Sequence, residues 1–261
     1  TVTDSAGATD TQNLAITITG TNDASVLANG LASATVTEDH TSSANQLSSS
    51  WQNLAITDVD STVEAAIVQI EVNGVLHQVP ADFAMSLQGD HGTFHTTHGI
   101  DGYDKWRYTA DNTHSEIQGL KDGQSLTDSI TLITADGTRI PITATIQGTD
   151  DHVIIDTPNA VTASLGTAIE DTKASISGML TAHDVDTDDT VHFEVQSTAG
   201  SYGTLSVSQD GRWHYDLDPA KANPLTPWDN VPEVFNVVAV SSDGSKATQR
   251  IQVNVQGTSD A

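Results

Sequence analysis

The sequence predicts an all-β fold built as tandem antiparallel β-sandwich domains, and three observations carry that expectation. A short acidic phrase recurs three times: "ITGTNDA" at 18–24, "IQGTDDH" at 146–152 and "VQGTSDA" at 255–261. Gly20, Gly148 and Gly257 mark the copies, 128 and 109 residues apart, which is the spacing of whole small domains. Each copy follows a stretch in which apolar residues alternate with Thr, Gln or Asn: Leu14, Ile16, Ile18; Ile140, Ile142, Ile146; Ile251, Val253, Val255. A period of two describes a strand with one buried and one wet face. Helical periodicity is nearly absent, with "THSEIQGL" at 113–120 suited to a single turn.

Taken in order, the elements repeat. Hairpin signals precede the alternating stretches: "TDSAGATDTQ", "TADGTRIP" and "SSDGSKAT". Asp136-Gly137 and Asp243-Gly244 predict tight two-residue turns in which both positions take positive φ, so these two aspartates are read as turn residues. Two full repeats then align. "TVTEDHTSS" from 35 matches "TAIEDTKAS" from 167. "LAITDVD" from 54 matches "LTAHDVD" from 180, and "GTFHTTHGIDGYDKWRYTADN" from 92 matches "GTLSVSQDGRWHYDLDP" from 203. The expected division is 1–23, the end of a preceding repeat or a hairpin completing the first domain; 24–150, a first sandwich; and 151–261, a second, each of roughly seven strands. Trp106 with Tyr108, and Trp213 with Tyr215, hold the same repeat position and are expected to fill the two cores. Trp51 is expected to be a further core anchor.

Composition narrows the function. Nine Lys and Arg face 35 Asp and Glu, a net charge of −26 over 261 residues, which repels nucleic acid and anionic membranes. There is no cysteine, hence no disulfide, thiolate metal site or cysteine nucleophile, and rigidity must come from elsewhere. No run of 18 apolar residues suggests a membrane span, and the opening "TVTDSAGATD" lacks the basic start and apolar stretch of a signal peptide. The chain reads as a piece of a longer protein.

The ordered phrases, ED, D-V-D, G-T-L-x-V, D-G-x-W-x-Y, S-D-G and V-x-G-T-x-D, resemble VCBS-type, cadherin-like repeats of the large RTX adhesins that bacteria export by type I secretion. The resemblance runs over essentially the whole chain. It implies immunoglobulin/cadherin-like sandwiches, a secreted location on the bacterial cell surface, and calcium at the joints. It also implies neighbouring repeats of the same chain as partners, a host-cell or surface ligand reached through another domain, a monomer, and a role in adhesion and biofilm formation. The glycine-rich G-G-x-G-x-D nonapeptide of adhesin β-rolls is absent from this sequence.

The chemistry of the residues agrees with the resemblance. Calcium takes six to eight oxygens in flexible geometry. Asp58 with Asp60, and Asp184 with Asp186, place two carboxylates on one side of an extended stretch. The recurring phrases add Asn22 and Asp23, or Asp150 and Asp151; in the third copy Ser259 stands where Asn22 does. Glu38 and Glu170, and Asp111 and Asp218, match the acidic positions that cadherin-like modules direct to the following joint. The joint between the repeats is therefore expected from Glu38, Asp111, Asp150, Asp151, Asp184 and Asp186. His91, His95 and His98 invite a zinc reading, but His91 and His95 would share a strand face with His98 opposite, and no HExxH accompanies them. They are expected at an exposed hairpin tip. With no G-x-S-x-G elbow or phosphate loop either, no enzyme is expected. The longer first repeat, with "NQLSSSWQNL", is the alternative place for a peptide or glycan site.

Overall fold

Two separate apolar cores organise the chain in the computed structural model, which describes residues 1–39, 41, 45–100, 103–156, 163–194 and 196–259. The first lies between a six-stranded and a five-stranded sheet. In the larger sheet the strands run in the order Val26–Gly30, Gln52–Thr57, Asp104–Asp111, Gly92–His98, Met85–Gln88, and Gln46–Ser48 also pairs with Asp104–Asp111. The smaller is ordered Ser33–Thr37, Arg139–Gln147, Ser125–Thr134, Ile67–Val72, Val75–Gln78. The second core lies between two four-stranded sheets. One is ordered Ala163–Ile169, Lys246–Gln256, Asn230–Ser241, Val191–Phe193, the other Ser175–Met179, Arg212–Leu217, Gly203–Val207, Gln196–Ala199.

These sheets hold more strands than the roughly seven expected per sandwich, because the sandwich edges are broken into pieces. The chain from Val26 pairs with one sheet as far as Gly30, and from Ser33 it joins the other. There it runs parallel to Arg139–Gln147, and Ala163–Ile169 runs parallel to Lys246–Gln256 in the same way. All other pairings among the described residues are antiparallel.

The cores follow the alternation. Along Arg212–Leu217 every second residue is buried, Trp213, Tyr215 and Leu217, and along Arg139–Gln147 it is Ile140, Ile142, Ala144 and Ile146. Trp106, Tyr108 and Phe94 are fully buried and in ring contact. Each such side chain contributes about 1.5–3 kcal/mol of hydrophobic stabilisation. A carboxylate is buried beside each core tyrosine. Asp128 accepts from the Tyr108 hydroxyl at 2.6 Å and from the Gly92 backbone NH at 2.9 Å, and Glu233 accepts from the Tyr215 hydroxyl and the Tyr202 NH. Burial pushes the Asp128 carboxyl up, yet the Tyr108, His91 and Gly92 donors together hold it below the usual value.

Three sequence expectations are corrected. Residues 14–18 form no strand; Leu14, Ile16 and Ile18 are 76–90% exposed, since among the described residues no sheet lies against them. The hairpins at Asp136 and Asp243 are not two-residue turns. Only the glycines take positive φ, 87° at Gly137 and 96° at Gly244, and the bonds Gly137 NH to Thr134 O and Thr134 NH to Thr138 O describe a turn followed by a glycine bulge. Asp136 braces it by accepting from the Thr138 NH at 2.9 Å and, across the sandwich end, from the Ser25 NH at 2.9 Å. Trp51 is not a core residue. It is 42% exposed, with the Arg107 guanidinium 4.8 Å from its ring centre. The helical turn expected near 113–120 is present as Ser115–Gln118.

Candidate metal centre

A loop of the second sandwich, residues 184–189, is rich in aspartate and lies against the first. Asp184, Asp186 and Asp189 each bring a carboxylate oxygen to within 4.8 Å of the other two. The loop is held by its own backbone: the Asp186 NH donates to Asp184 Oδ1 at 3.2 Å and the Asp189 NH to the Asp186 carbonyl at 3.3 Å. The linker crosses directly over it, with the Asp151 NH donating to Asp186 Oδ2 at 2.7 Å. Asp150 is fixed from the first sandwich, where the Asp122 NH donates to its Oδ1 at 2.8 Å.

Glu38 enters from the end of the strand Ser33–Thr37, where its NH donates to the Gln147 carbonyl at 2.8 Å. Its side chain accepts from Gln118 Nε2 at 2.9 Å and from the Thr149 NH at 3.3 Å, and the residue is fully buried. Burial pushes the Glu38 carboxyl up to about 7, with Asp151, Asp39 and Asp186 adding negative charge. Asp151 is pushed up to about 6 by burial and by Asp39, Asp186 and Asp184. Asp186 is raised too, first by burial, then by Asp184, Asp150 and Asp189.

The sequence-derived joint is thus brought together at Glu38, Asp150, Asp151, Asp184 and Asp186. Asp111 does not join it. Its carboxylate accepts from the Thr113 NH at 2.9 Å and the Thr113 hydroxyl at 2.8 Å, closing a local turn. Its neighbour Asn112 is the residue that reaches across, exchanging two hydrogen bonds with Asp39 at 2.9 and 3.0 Å. Asp218 likewise caps the short helix Pro219–Ala222 by accepting from the Ala220 NH. Sequence reasoning passed over Asp39, Asp189 and Gln118. The doublet Glu38-Asp39, repeated as Glu170-Asp171, was the available signal; nothing in the sequence marked Gln118.

The pattern recurs at the far ends of the two sandwiches. Asp58, Asp60 and Glu64 bring oxygens within 4.8 Å of one another, and the Asp23 NH donates to Asp60 Oδ2 at 2.6 Å. Asn22 turns its amide to the Asp23 carbonyl instead. Glu170 is buried, and accepts from the Thr258 NH at 3.2 Å as Glu38 does from Thr149.

Four buried carboxylate oxygens at the junction, Asp151 Oδ2, Asp184 Oδ2, Asp186 Oδ1 and Asp189 Oδ2, have no hydrogen-bond partner among the described residues, and Glu64 Oε2 at the first end is in the same position. Such oxygens normally find a donor or a cation. One cation is built in: Lys121 of the first sandwich pairs with Asp189 at 2.9 Å. Beside it the Thr187 NH donates to the Gly119 carbonyl at 3.0 Å, and Gly119 lies so close to Thr187 that a Cβ would stand 2.5 Å from its hydroxyl. An all-oxygen set with converging carboxylates suits a hard divalent cation.

Residues 155–257 match the family model of the bacterial cadherin-like domain. The match covers the second, cadherin-like sandwich and less than half of the chain. No curated protein matches the sequence. Among solved structures the chain is similar to the protocadherin γB4 extracellular domain, at 12% identity and a TM-score of 0.40, over 89% of this chain and 32% of that one. It is similar to mouse cadherin-23 EC22-24, at 12% identity and a TM-score of 0.44, over 87% of this chain and 63% of that one. It is also similar to human mucin-like protocadherin EC1-2, at 15% identity and a TM-score of 0.37, over 86% and 95%. The chain therefore spans about a third to a half of the length of the first protocadherin structures it resembles. Among the described residues no helix is long and apolar enough to cross a membrane.

Proposed function

We propose that this chain is a calcium-rigidified extender segment of a secreted bacterial cell-surface adhesin of the RTX, VCBS-repeat type, serving adhesion and biofilm formation mechanically and not as an enzyme. The modules are 24–150 and 151–261, and 1–23 is the end of a preceding repeat or an N-terminal hairpin. The exposed row Leu14, Ile16, Ile18, which has the alternation of the buried rows at 142–146 and 251–255, supports the first of these. The observation that carries the reading is the set of four buried, unpartnered carboxylate oxygens where the two sandwiches meet. Glu38, Asp39, Asp150, Asp151, Asp184, Asp186 and Asp189 would hold the calcium, with Asn22, Asp23, Asp58, Asp60 and Glu64 offering oxygens at one end and Glu170 at the other. Calcium supplies the positive charge these residues lack; the chain's part is to fix their oxygens from both sandwiches at once. An ion bound only by the assembled junction stabilises it by mass action, at the 10⁻⁴–10⁻³ M affinities typical of extracellular modules.

Small-angle X-ray scattering in millimolar calcium and then in excess chelator tests this. A long, sharply defined maximum dimension that blurs on chelation supports the reading; identical profiles overturn it. A second reading has one observation in its favour. The exposed Trp51 ring under Arg107 is a stacking platform on the first sandwich, suited to a glycan or peptide. A glycan array signal lost in Trp51→Ala would bring it forward.

A further inference from the structure

The second sandwich carries an exposed tryptophan at the place where the first sandwich meets its neighbour. Two turns of the chain show this, because they are built from the same hydrogen bonds. In the first sandwich the Gln124 NH donates to the Lys121 carbonyl at 2.9 Å, the Lys121 NH to the Gln124 side chain at 3.1 Å, and the Gly148 NH to the Gln124 carbonyl at 3.0 Å. In the second the Asp229 NH donates to the Thr226 carbonyl at 2.9 Å, the Thr226 NH to the Asp229 carboxylate at 2.7 Å, and the Gly257 NH to the Asp229 carbonyl at 3.2 Å. The glycines fit alike: a Cβ would stand 2.4 Å from Leu120 at Gly148 and 2.6 Å from Leu225 at Gly257. Lys121, Asp122 and Gly123 therefore correspond to Thr226, Pro227 and Trp228. The turns differ at the third place, where Gly123 takes a φ of 81° that Trp228 does not share.

The first turn holds the next module through polar groups: Lys121 pairs with Asp189 at 2.9 Å, and the Asp122 NH donates to Asp150 at 2.8 Å. The second turn has neither means. Thr226 carries no charge, Pro227 has no NH, and Ser259 stands where Asp150 does. It offers Trp228 instead, 93% exposed on a turn that Gln256 braces by donating to the Pro227 carbonyl at 2.8 Å. Tryptophan is among the residues most enriched as interface anchors. The element that faces the turn region at the junction is the D-V-D loop: the Val185 carbonyl lies 3.6 Å from where a Gly119 Cβ would stand. Val185 is 40% exposed there, whereas its counterpart Val59, between Asp58 and Asp60, is 86% exposed. Both copies of the loop thus present an apolar residue of the kind an indole packs on.

We propose that the turn Thr226–Asp229 is the docking surface for a cadherin-like sandwich that follows in the longer chain, with Trp228 packed on the apolar residue between the aspartates of that sandwich's D-x-D loop. The proposal rests on the reading of this chain as one segment of a tandem array, and it makes the order of that joint independent of calcium. The linker supplies the effective concentration, so one aromatic anchor suffices where a free dimer would need a far larger area.

The test is a longer chain in which Ser25–Ala261 are repeated after Ala261, the residue that stands where Ala24 does in the recurring phrase. The tryptophans are fluorine-labelled, and Trp228→Phe in the repeated copy removes the terminal signal. The fluorine resonance of the inner Trp228 is expected to move from its position in the 261-residue chain and to lose most of its shift between light and heavy water, in calcium and in chelator alike. Val59→Ser in the repeated copy is expected to return it toward the exposed position; both side chains lie on the surface, so these variants leave the cores intact. An inner Trp228 resonance that stays where it is overturns the proposal. One that moves only in calcium assigns the joint to the ion alone and overturns it equally. Movement with protein concentration in the 261-residue chain makes a separate copy the partner, which also overturns it. A covered Trp228 in both buffers, together with scattering profiles that calcium does not change, upholds the docking surface while the calcium reading falls.

Discussion

The backbone NH of Asp151 donates to the Asp186 carboxylate at 2.7 Å, and 128 residues earlier the NH of Asp23 donates to Asp60 at 2.6 Å. In both places the linker phrase is pinned to the second aspartate of a D-V-D loop. The pinning positions the carboxylates but leaves Asp186 Oδ1 and Asp184 Oδ2 without donors. Asp186→Asn is expected to have opposite effects in two conditions. In calcium-free buffer it lifts charge repulsion, so the melting temperature rises relative to the native chain; in millimolar calcium it removes a ligand, so the calcium-induced rise in melting temperature shrinks. Paired thermal melts check both signs, and equal behaviour in the two buffers would remove Asp186 from the centre.

Proton linkage gives a second prediction. Glu38 and Asp151 have folded pKa values of about 7 and about 6, above their ordinary 4.5 and 3.8. Between the ordinary and raised values the folded junction holds protons that the unfolded chain has released, so stability falls as pH rises. The calcium-free chain is therefore expected to melt higher at pH 5 than at pH 8. With calcium present the trend weakens or reverses, because the ion displaces those protons and binds better above pH 7. Melting curves in metal-stripped buffers across that range decide it.

Lys121 predicts what remains without calcium. Its ion pair with Asp189, 26% and 4% exposed on the two sides, and the Thr187–Gly119 backbone bond join the sandwiches directly. Lys121→Met should weaken the junction and let the two sandwiches reorient more freely in chelator. NMR relaxation measured on each sandwich would show their tumbling decouple; unchanged coupling would mean the lysine contributes nothing to the junction.

The tyrosine–carboxylate pairs predict a stability effect away from any ion. Tyr215→Phe leaves the buried Glu233 with one donor fewer and should cost about 1–3 kcal/mol. Gly203→Ala should cost more, since its Cβ would stand 2.4 Å from the Tyr215 ring and hydroxyl and from the Asp216 carbonyl. Denaturant unfolding measures both. Trp51→Ala, by contrast, should change stability by about 1 kcal/mol or less, the worth of an exposed cation–π contact.

What the sequence revealed, it revealed through repetition. The alternating rows at 140–146 and 251–255, the Trp-x-Tyr strands and the D-V-D loops are local patterns that occur twice, and each has the same role in both sandwiches. What it concealed is long-range. Asp111 has the charge and the repeat position of a ligand, yet Thr113 satisfies it locally and Asn112 makes the crossing contact. Leu14, Ile16 and Ile18 carry a strand's pattern without a neighbouring sheet among the described residues, and a pattern makes a strand only where another strand accepts its hydrogen bonds. Trp51 shows that apolar character alone does not place a residue inside; Arg107 reaches its ring at the surface. Gln118 and Lys121 come to the junction only because a short helix ends there.

The parallel pairing of Ser33–Thr37 with Arg139–Gln147 has a mechanical consequence. Each sandwich receives the chain at one end and releases it at the other, so tension along the polypeptide slides these two strands past each other. Their five register pairs, Ser33–Thr143 through Thr37–Gln147, then share the force simultaneously instead of opening one by one like a zipper. The second sandwich has the equivalent ladder between Ala163–Ile169 and Lys246–Gln256. A filament of such units resists stretching in shear, the direction in which hydrogen-bonded strands are strongest.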